Sequence, residues 1–140
     1  MASSTNVLAA PIVAGPGSPP LAMPGTSFVV REWTGPGPRY LHVHRSDDEA
    51  WHVLEGALRF RFADGEVEAP AGTTVFVPAG VAHTYRVSSE PCRYLIILTP
   101  NLDRLIARLK SLPDEALIPA TLAEHDTVQC DQAQVPDPDR

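Results

Sequence analysis

Two short stretches of the chain hold side chains of the kind that bind metal ions. The first runs His42-Val43-His44-Arg45-Ser46-Asp47-Asp48-Glu49 and continues Ala50-Trp51-His52-Val53-Leu54-Glu55-Gly56. In an extended chain His42 and His44 project from the same face with ~6.6 Å of rise between them, so both imidazoles can converge on one ion. Glu49 opens the following strand after a four-residue loop and can bring an oxygen to the same point. The second stretch is Gly72-Thr73-Thr74-Val75-Phe76-Val77-Pro78-Ala79-Gly80-Val81-Ala82-His83, in which Pro78 and Gly80 build a turn that starts the strand bearing His83.

These stretches resemble the two motifs of the cupin superfamily, in particular those of small single-domain bacterial cupins similar to quercetin dioxygenases. His42, His44, Glu49 and Gly56 fall at the intervals of the first motif, with Pro36 at the place of its leading glycine between Gly35 and Gly37. Gly72, Pro78, Gly80 and His83 match the second, whose terminal asparagine is Val87 here. The resemblance covers about residues 27–100. It implies an all-β fold, the double-stranded β-helix or jelly-roll barrel, and carries His42, His44, Glu49 and His83 over as ligands of one divalent metal. Three imidazoles and a carboxylate leave about two positions open on an octahedral ion, which suits Fe(II), Mn(II), Ni(II) or Co(II), with zinc also accommodated. Open positions are what a substrate or dioxygen needs. Three functions are compatible with the resemblance: a dioxygenase-like oxidoreductase in which Glu49 doubles as the base, a non-redox metal enzyme such as an isomerase or polyketide-type cyclase, and a non-catalytic small-ligand-binding protein. A homodimer is expected from the same resemblance.

Alternation along the strands names the neighbours of the ligands. Counting from Glu49 places Trp51 and Val53 inside and His52 outside, so His52 is expected at the surface and not on the metal. Tyr40 shares the face of His42, and Tyr85 that of His83; each either lines the pocket or fills the barrel. With Trp51 and Phe60 they are the expected substrate-binding residues. Arg39, Arg59, Arg61 and Arg86 count to the opposite face, leaving a cavity without Lys or Arg that suits a flat, mostly apolar phenolic, enolic or diketone molecule. A dianion there would have its oxygens desolvated against aromatic walls.

The elements that must hold this constellation follow from the punctuation of the chain. With 140 residues, 44% hydrophobic and 20% charged, the sequence has room for one core and little more. Its 15 prolines and 9 glycines suit many short strands and exclude a mainly helical fold. Residues 1–26 read as a Pro/Gly-rich arm and 27–100 as the barrel, with seven or eight strands. Beyond Leu98 the period becomes helical: Thr99-Pro100 is a cap, and Leu102, Leu105, Ile106 and Leu109 recur on one face of a helix that packs on the barrel. Thr121-Leu122-Ala123-Glu124 reads as the capping box of a second short helix, which places His125 at the surface; residues 101–127 are the helical segment and 128–140 an acidic tail.

The net charge of −6 comes from the last thirty residues, where seven acids face one base, so the body is neutral and nucleic acid is not an expected partner. Cys92 and Cys130 are too few and too far apart for a disulfide framework. No apolar run reaches the ~20 residues of a membrane span, and no basic residue precedes Arg31 as a targeting segment would require; a cytoplasmic protein is expected.

Overall fold

A computed structural model describes residues 10–130 of the protein. It contains eight strands: β1 (Ala22–Pro24), β2 (Val29–Trp33), β3 (Leu41–His44), β4 (Glu49–Phe62), β5 (Gly65–Pro70), β6 (Thr74–Val77), β7 (His83–Leu98) and β8 (Thr127–Cys130). Two helices, α1 (Pro100–Lys110) and α2 (Ile118–Glu124), lie between β7 and β8.

The long strands β4 and β7 form an antiparallel spine, paired from Ala50↔Ile97 at one end to Phe62↔His83 at the other. On β7 the sheet continues to β2 and then β1, and to β3 and then β8; on β4 it continues to β5 and β6. Six strands, not the seven or eight expected, lie between residues 27 and 98. Glu55-Gly56, whose composition suits a turn, is instead a bulge inside β4, where the register with β7 slips and Gly56 takes a φ of 74°. A Cβ at Gly56 would collide with the carbonyl oxygens of Ser89 and Pro91. Residues 88–92, with Ser88, Ser89 and Pro91, likewise do not interrupt the chain but lie within β7.

Trp51, Val53 and Phe60, expected inside, pack the barrel interior together with Leu58, Tyr94, Ile96 and Leu98. Trp51, Val53, Leu58, Phe60 and Tyr94 have no exposed surface, and Ile96 and Leu98 almost none. Phe62 is only part-buried, its ring stacked 6.2 Å from that of Phe60 beside the turn from β4 into β5.

The ends of the chain are more engaged than the sequence suggested. Residues 22–24, expected in the arm, pair with β2 as Ala22↔Arg31 through Pro24↔Val29. Residues 128–130, expected in the tail, belong to β8, which pairs with β3 as Leu41↔Cys130 through His44↔Thr127. A backbone edge left open on β3 explains the second addition, because unpaired strand donors and acceptors recruit a partner. Residues 1–9 of the arm and 131–140 of the tail lie outside the described residues. Neither Cys92 nor Cys130 forms a disulfide, and among the described residues no helix is long and apolar enough to cross a membrane.

α1 begins as expected. Thr99 is its N-cap, with Oγ1 accepting a hydrogen bond from Leu102 N at 3.1 Å, and Pro100 occupies the first turn. Its apolar face lies against the barrel mouth, fastened by Arg31 of β2, whose guanidinium forks onto Asp103 at 2.5 and 2.9 Å. α2 starts three residues before the expected capping box. Thr121 is therefore mid-helix, its hydroxyl donating back to Leu117 O at 2.8 Å, and Pro119 supplies the helix start.

Candidate metal centre

β3, the start of β4 and the start of β7 meet at one end of the barrel, and the register there brings the Cα atoms of His42 and His83 opposite one another. His42 and His44 lie on one face of β3, and all four expected ligands are buried, from His83 at 1% exposure to His44 and Glu49 at 6%. One ligand atom from each of His42, His44, Glu49 and His83 falls within 4.8 Å of every other. Bonds of ~2.1 Å set ligand atoms roughly 3 Å apart when adjacent and roughly 4 Å apart when opposite, so the widest pair must draw in by under about 1 Å if its atoms are opposite and by up to about 2 Å if they are adjacent. Glu49 Oε1 already stands 3.1 Å from His44 Nε2 and 3.2 Å from His83 Nε2.

Hydrogen bonds behind the rings fix which nitrogen faces inward. His42 Nδ1 donates to Tyr40 O at 3.2 Å, and His83 Nδ1 donates to Val81 O at 3.0 Å. His44 Nδ1 lies 2.9 Å from Thr127 Oγ1, whose own hydrogen goes to His125 O at 3.1 Å, so here too Nδ1 is the donor. With Nδ1 as the donor, Nε2 is the nitrogen that each ring turns toward the other ligands and can offer to an ion. Burial, reinforced by the neighbouring His83 and His44, drives His42 down to about 3, which keeps its ring neutral.

Three lone pairs and a carboxylate facing one another in a space shielded from water repel unless a cation stands among them. Protonating both His44 and His83 would place two imidazoliums with ring centroids 5.2 Å apart. A single divalent ion satisfies all four groups at once, and the backing of each imidazole by an Nδ1 acceptor is the usual arrangement around a metal. The residues present fit the expected ion.

The wall around these ligands is apolar. The cavity over them has a volume of about 50 Å³ and is lined by Tyr40, Trp51, Tyr85, Ile96 and, from the roof, Leu102, Leu105, Ile106 and Leu109 of α1 and Leu122 of α2. No Lys or Arg enters it. A neighbouring groove of about 260 Å³ continues outward along Trp33, Tyr40, Ile106 and Leu109 to Lys110, whose Nζ lies 3.4 Å over the Trp33 ring.

The expected substrate-binding residues divide. Tyr40, Trp51 and Tyr85 line the cavity. Phe60 stands one layer behind, its ring 5.0 Å from Trp51 and 5.3 Å from Tyr85, so it backs the wall without forming it. The Tyr85 hydroxyl is committed to Tyr94: Tyr94 donates to Gly35 O at 2.5 Å, and Tyr85 donates to Tyr94 at 3.0 Å. Burial pushes the Tyr85 phenol up to about 12. Its ring packs against Gly37, where a Cβ would collide with it.

His52 is part-exposed and bonds Thr74 Oγ1 at 2.7 Å, away from the centre as expected. His125, expected at the surface, is 8% exposed. Its Nδ1 donates to Asn101 Oδ1 at 2.9 Å and its Nε2 accepts from Arg108 at 3.2 Å, because α2 ends against α1. Thr127 and the α1–α2 roof were missed as parts of the site. The apolar spacing of α1 showed that it packs, but nothing in the sequence said over what.

A profile of the cupin domain matches residues 24–98, more than half of the chain. The chain belongs to the cupin family. Among curated proteins it is 33% identical over 55 residues to an uncharacterized protein, SCO3923, of Streptomyces coelicolor; the match covers 39% of this cupin and 52% of that protein, so the matched region spans about half the length of the relative. Two solved structures share the fold. A cupin protein of Bacteroides fragilis, BF4112, has a TM-score of 0.53 at 16% identity, covering 66% of this chain and 86% of that one. Pac13 of Streptomyces, a nucleoside dehydratase, has a TM-score of 0.51 at 15% identity, covering 80% and 78%.

Proposed function

We propose that this cupin is a metal-dependent enzyme of dioxygenase type, acting on a small phenolic, enolic or diketone compound whose oxygens chelate the ion held by His42, His44, Glu49 and His83. The observation that carries this reading is the contrast between four convergent donors and a cavity wall of aromatic and aliphatic side chains with no fixed cation. A metal there supplies Lewis acidity toward a chelating oxygen and, where redox-active, the one-electron steps that dioxygen chemistry requires. Iron(II), manganese(II) and nickel(II) suit the donor set best, and zinc fits it.

The protein's own groups do the rest. Tyr40, Trp51 and Tyr85 hold a flat ring by their faces, and the roof of α1 keeps bulk water from the reacting oxygens. Glu49 is the only ligand able to take a proton from a substrate hydroxyl, since each histidine has its Nδ1 committed and its Nε2 turned to the ion. About 50 Å³ is room for roughly three or four waters and not for a phenol. The substrate therefore enters along the Trp33–Leu109 groove and lifts the roof; cavity and groove together reach the ~300 Å³ at which small-ligand pockets begin. The homodimer and the cytoplasmic setting expected from the sequence belong to the same proposal, with sedimentation equilibrium as the measurement for the first.

The experiment is an oxygen-uptake screen of the metal-loaded protein over catechols, flavonoids and diketones, run beside Glu49→Gln. The expected outcome is uptake that needs both substrate and metal, with Glu49→Gln keeping much of the metal and losing most turnover. Turnover without oxygen uptake would overturn the oxidative part and make the protein a non-redox enzyme. Equal loss of metal and activity in Glu49→Gln would reduce Glu49 to a structural ligand.

A further inference from the structure

A second feature lies on the outer face of the β4–β7 spine and does not depend on the proposed function. Arg59 and Arg61 of β4, Arg86 of β7 and Arg39, just before β3, line one cleft of about 320 Å³. Arg59 and Arg86 are direct cross-strand partners, a like-charge pairing that sheets ordinarily avoid. β5 brings two carboxylates to the four guanidiniums. Glu66 is the cross-strand partner of Arg61, yet its carboxylate bonds Arg59 at 2.6 Å and Arg86 at 3.3 Å. Glu68 bonds Arg59 at 3.0 Å and Ser88 at 2.7 Å.

Arg61 is thus passed over. Its Nε is withdrawn from water and has no hydrogen-bond partner, and among the described residues neither Arg61 nor Arg39 has an ion pair. Buried donors are nearly always satisfied, and a guanidinium presents a planar fork matched to two oxygens of one group. The rim that carries Arg39 is stiff, because Pro36 and Pro38 restrict its backbone and the Thr84 hydroxyl donates to Pro38 O. After its two carboxylates are counted, the cleft holds two positive charges on a chain of net charge −6. A dianion balances that excess and a carboxylate does not.

We propose that this cleft is an oxyanion site that takes a phosphate group, with Arg61 and Arg39 as its principal donors. The group comes either as inorganic phosphate or as a phosphate monoester. The cleft shares the Pro38 and Tyr85 wall with the metal cavity but none of the metal ligands, so the two sites are separable by mutation.

The test is calorimetric titration of the full protein, at about 0.15 M ionic strength, with inorganic phosphate and with phenyl phosphate. Saturable binding near one equivalent is expected. Arg61→Gln and Arg39→Gln should each weaken it about tenfold, as the loss of a charge-assisted fork implies. Arg104→Gln, on the exposed side of α1, should leave it unchanged. Arg39 is exposed and outside any strand, so its variant reports on the site even if Arg61→Gln folds poorly. Tighter binding of phenyl phosphate assigns an ester as the ligand, and equal or weaker binding assigns free phosphate. No saturable binding of either compound, affinity unchanged in Arg39→Gln, or equal weakening by Arg104→Gln would overturn the proposal.

Discussion

Thr127 is the residue whose part in the centre is easiest to overlook. It belongs to no motif and sits 83 positions from His44, yet its hydroxyl accepts the His44 Nδ1 hydrogen and passes its own on to His125 O. That relay aims His44 Nε2 at Glu49. Replacing Thr127 by Val keeps the shape of the side chain and removes the acceptor, so metal affinity should fall ~10- to 100-fold, as is usual when a ligand loses its backing partner. Thr127→Ser should restore most of it. Competition with a metallochromic chelator measures both, and Val and Ser variants of equal affinity would show that Thr127 merely fills space. His42 and His44 were legible as a pair because a strand's two-residue period puts them on one face whatever the rest of the chain does, and His83 joined them and Glu49 through the resemblance to the cupin motifs. Thr127 was not, since β8 pairs with β3 through contacts distant in sequence.

At the level of elements, the chain reads well where a rule is local and less well where sheet geometry overrides it. Thr99, Pro100 and the leucine spacing located α1 correctly, because a cap and an amphipathic period act within a few residues. Glu55-Gly56 had the composition of a turn but lies inside β4 as a bulge. There the left-handed φ and the carbonyl oxygens of Ser89 and Pro91 leave room for glycine alone. Gly56→Ala should cost ~1–3 kcal/mol from the backbone conformation, before the clash is added. Urea unfolding would measure it, and a loss under ~0.5 kcal/mol, typical of neutral surface changes, would mean that the bulge is not fixed as described. The roof makes a separate demand. If α1 must lift for substrate to enter, cutting its Arg31–Asp103 fastening should free it. Arg31→Ala should speed hydrogen exchange in the α1 amides and leave exchange in the β4–β7 spine unchanged. Uniform acceleration would instead show global destabilisation.

Across the whole molecule, the barrel was legible through the resemblance to the cupin motifs and its apolar interior through strand alternation, while the closing strands β1 and β8 were not. Both add to sheet edges at the ends of the chain, where three or four residues of ordinary composition gain their partners only once the barrel exists. The larger consequence concerns stability. Four buried donors that repel without an ion make metal binding a part of folding, so stability should rise with free metal, by about 2.7 kcal/mol at a hundredfold excess over the dissociation constant. A chelator should lower the unfolding temperature of the native protein and have little effect on His83→Ala.

Elemental analysis of the protein purified without added metal shows whether His42, His44, Glu49 and His83 hold an ion. The expected result is about one first-row divalent ion per chain, lost in His83→Ala. Wild-type protein that carries no stoichiometric metal, even after reconstitution with iron(II), manganese(II), nickel(II) or zinc, would contradict it.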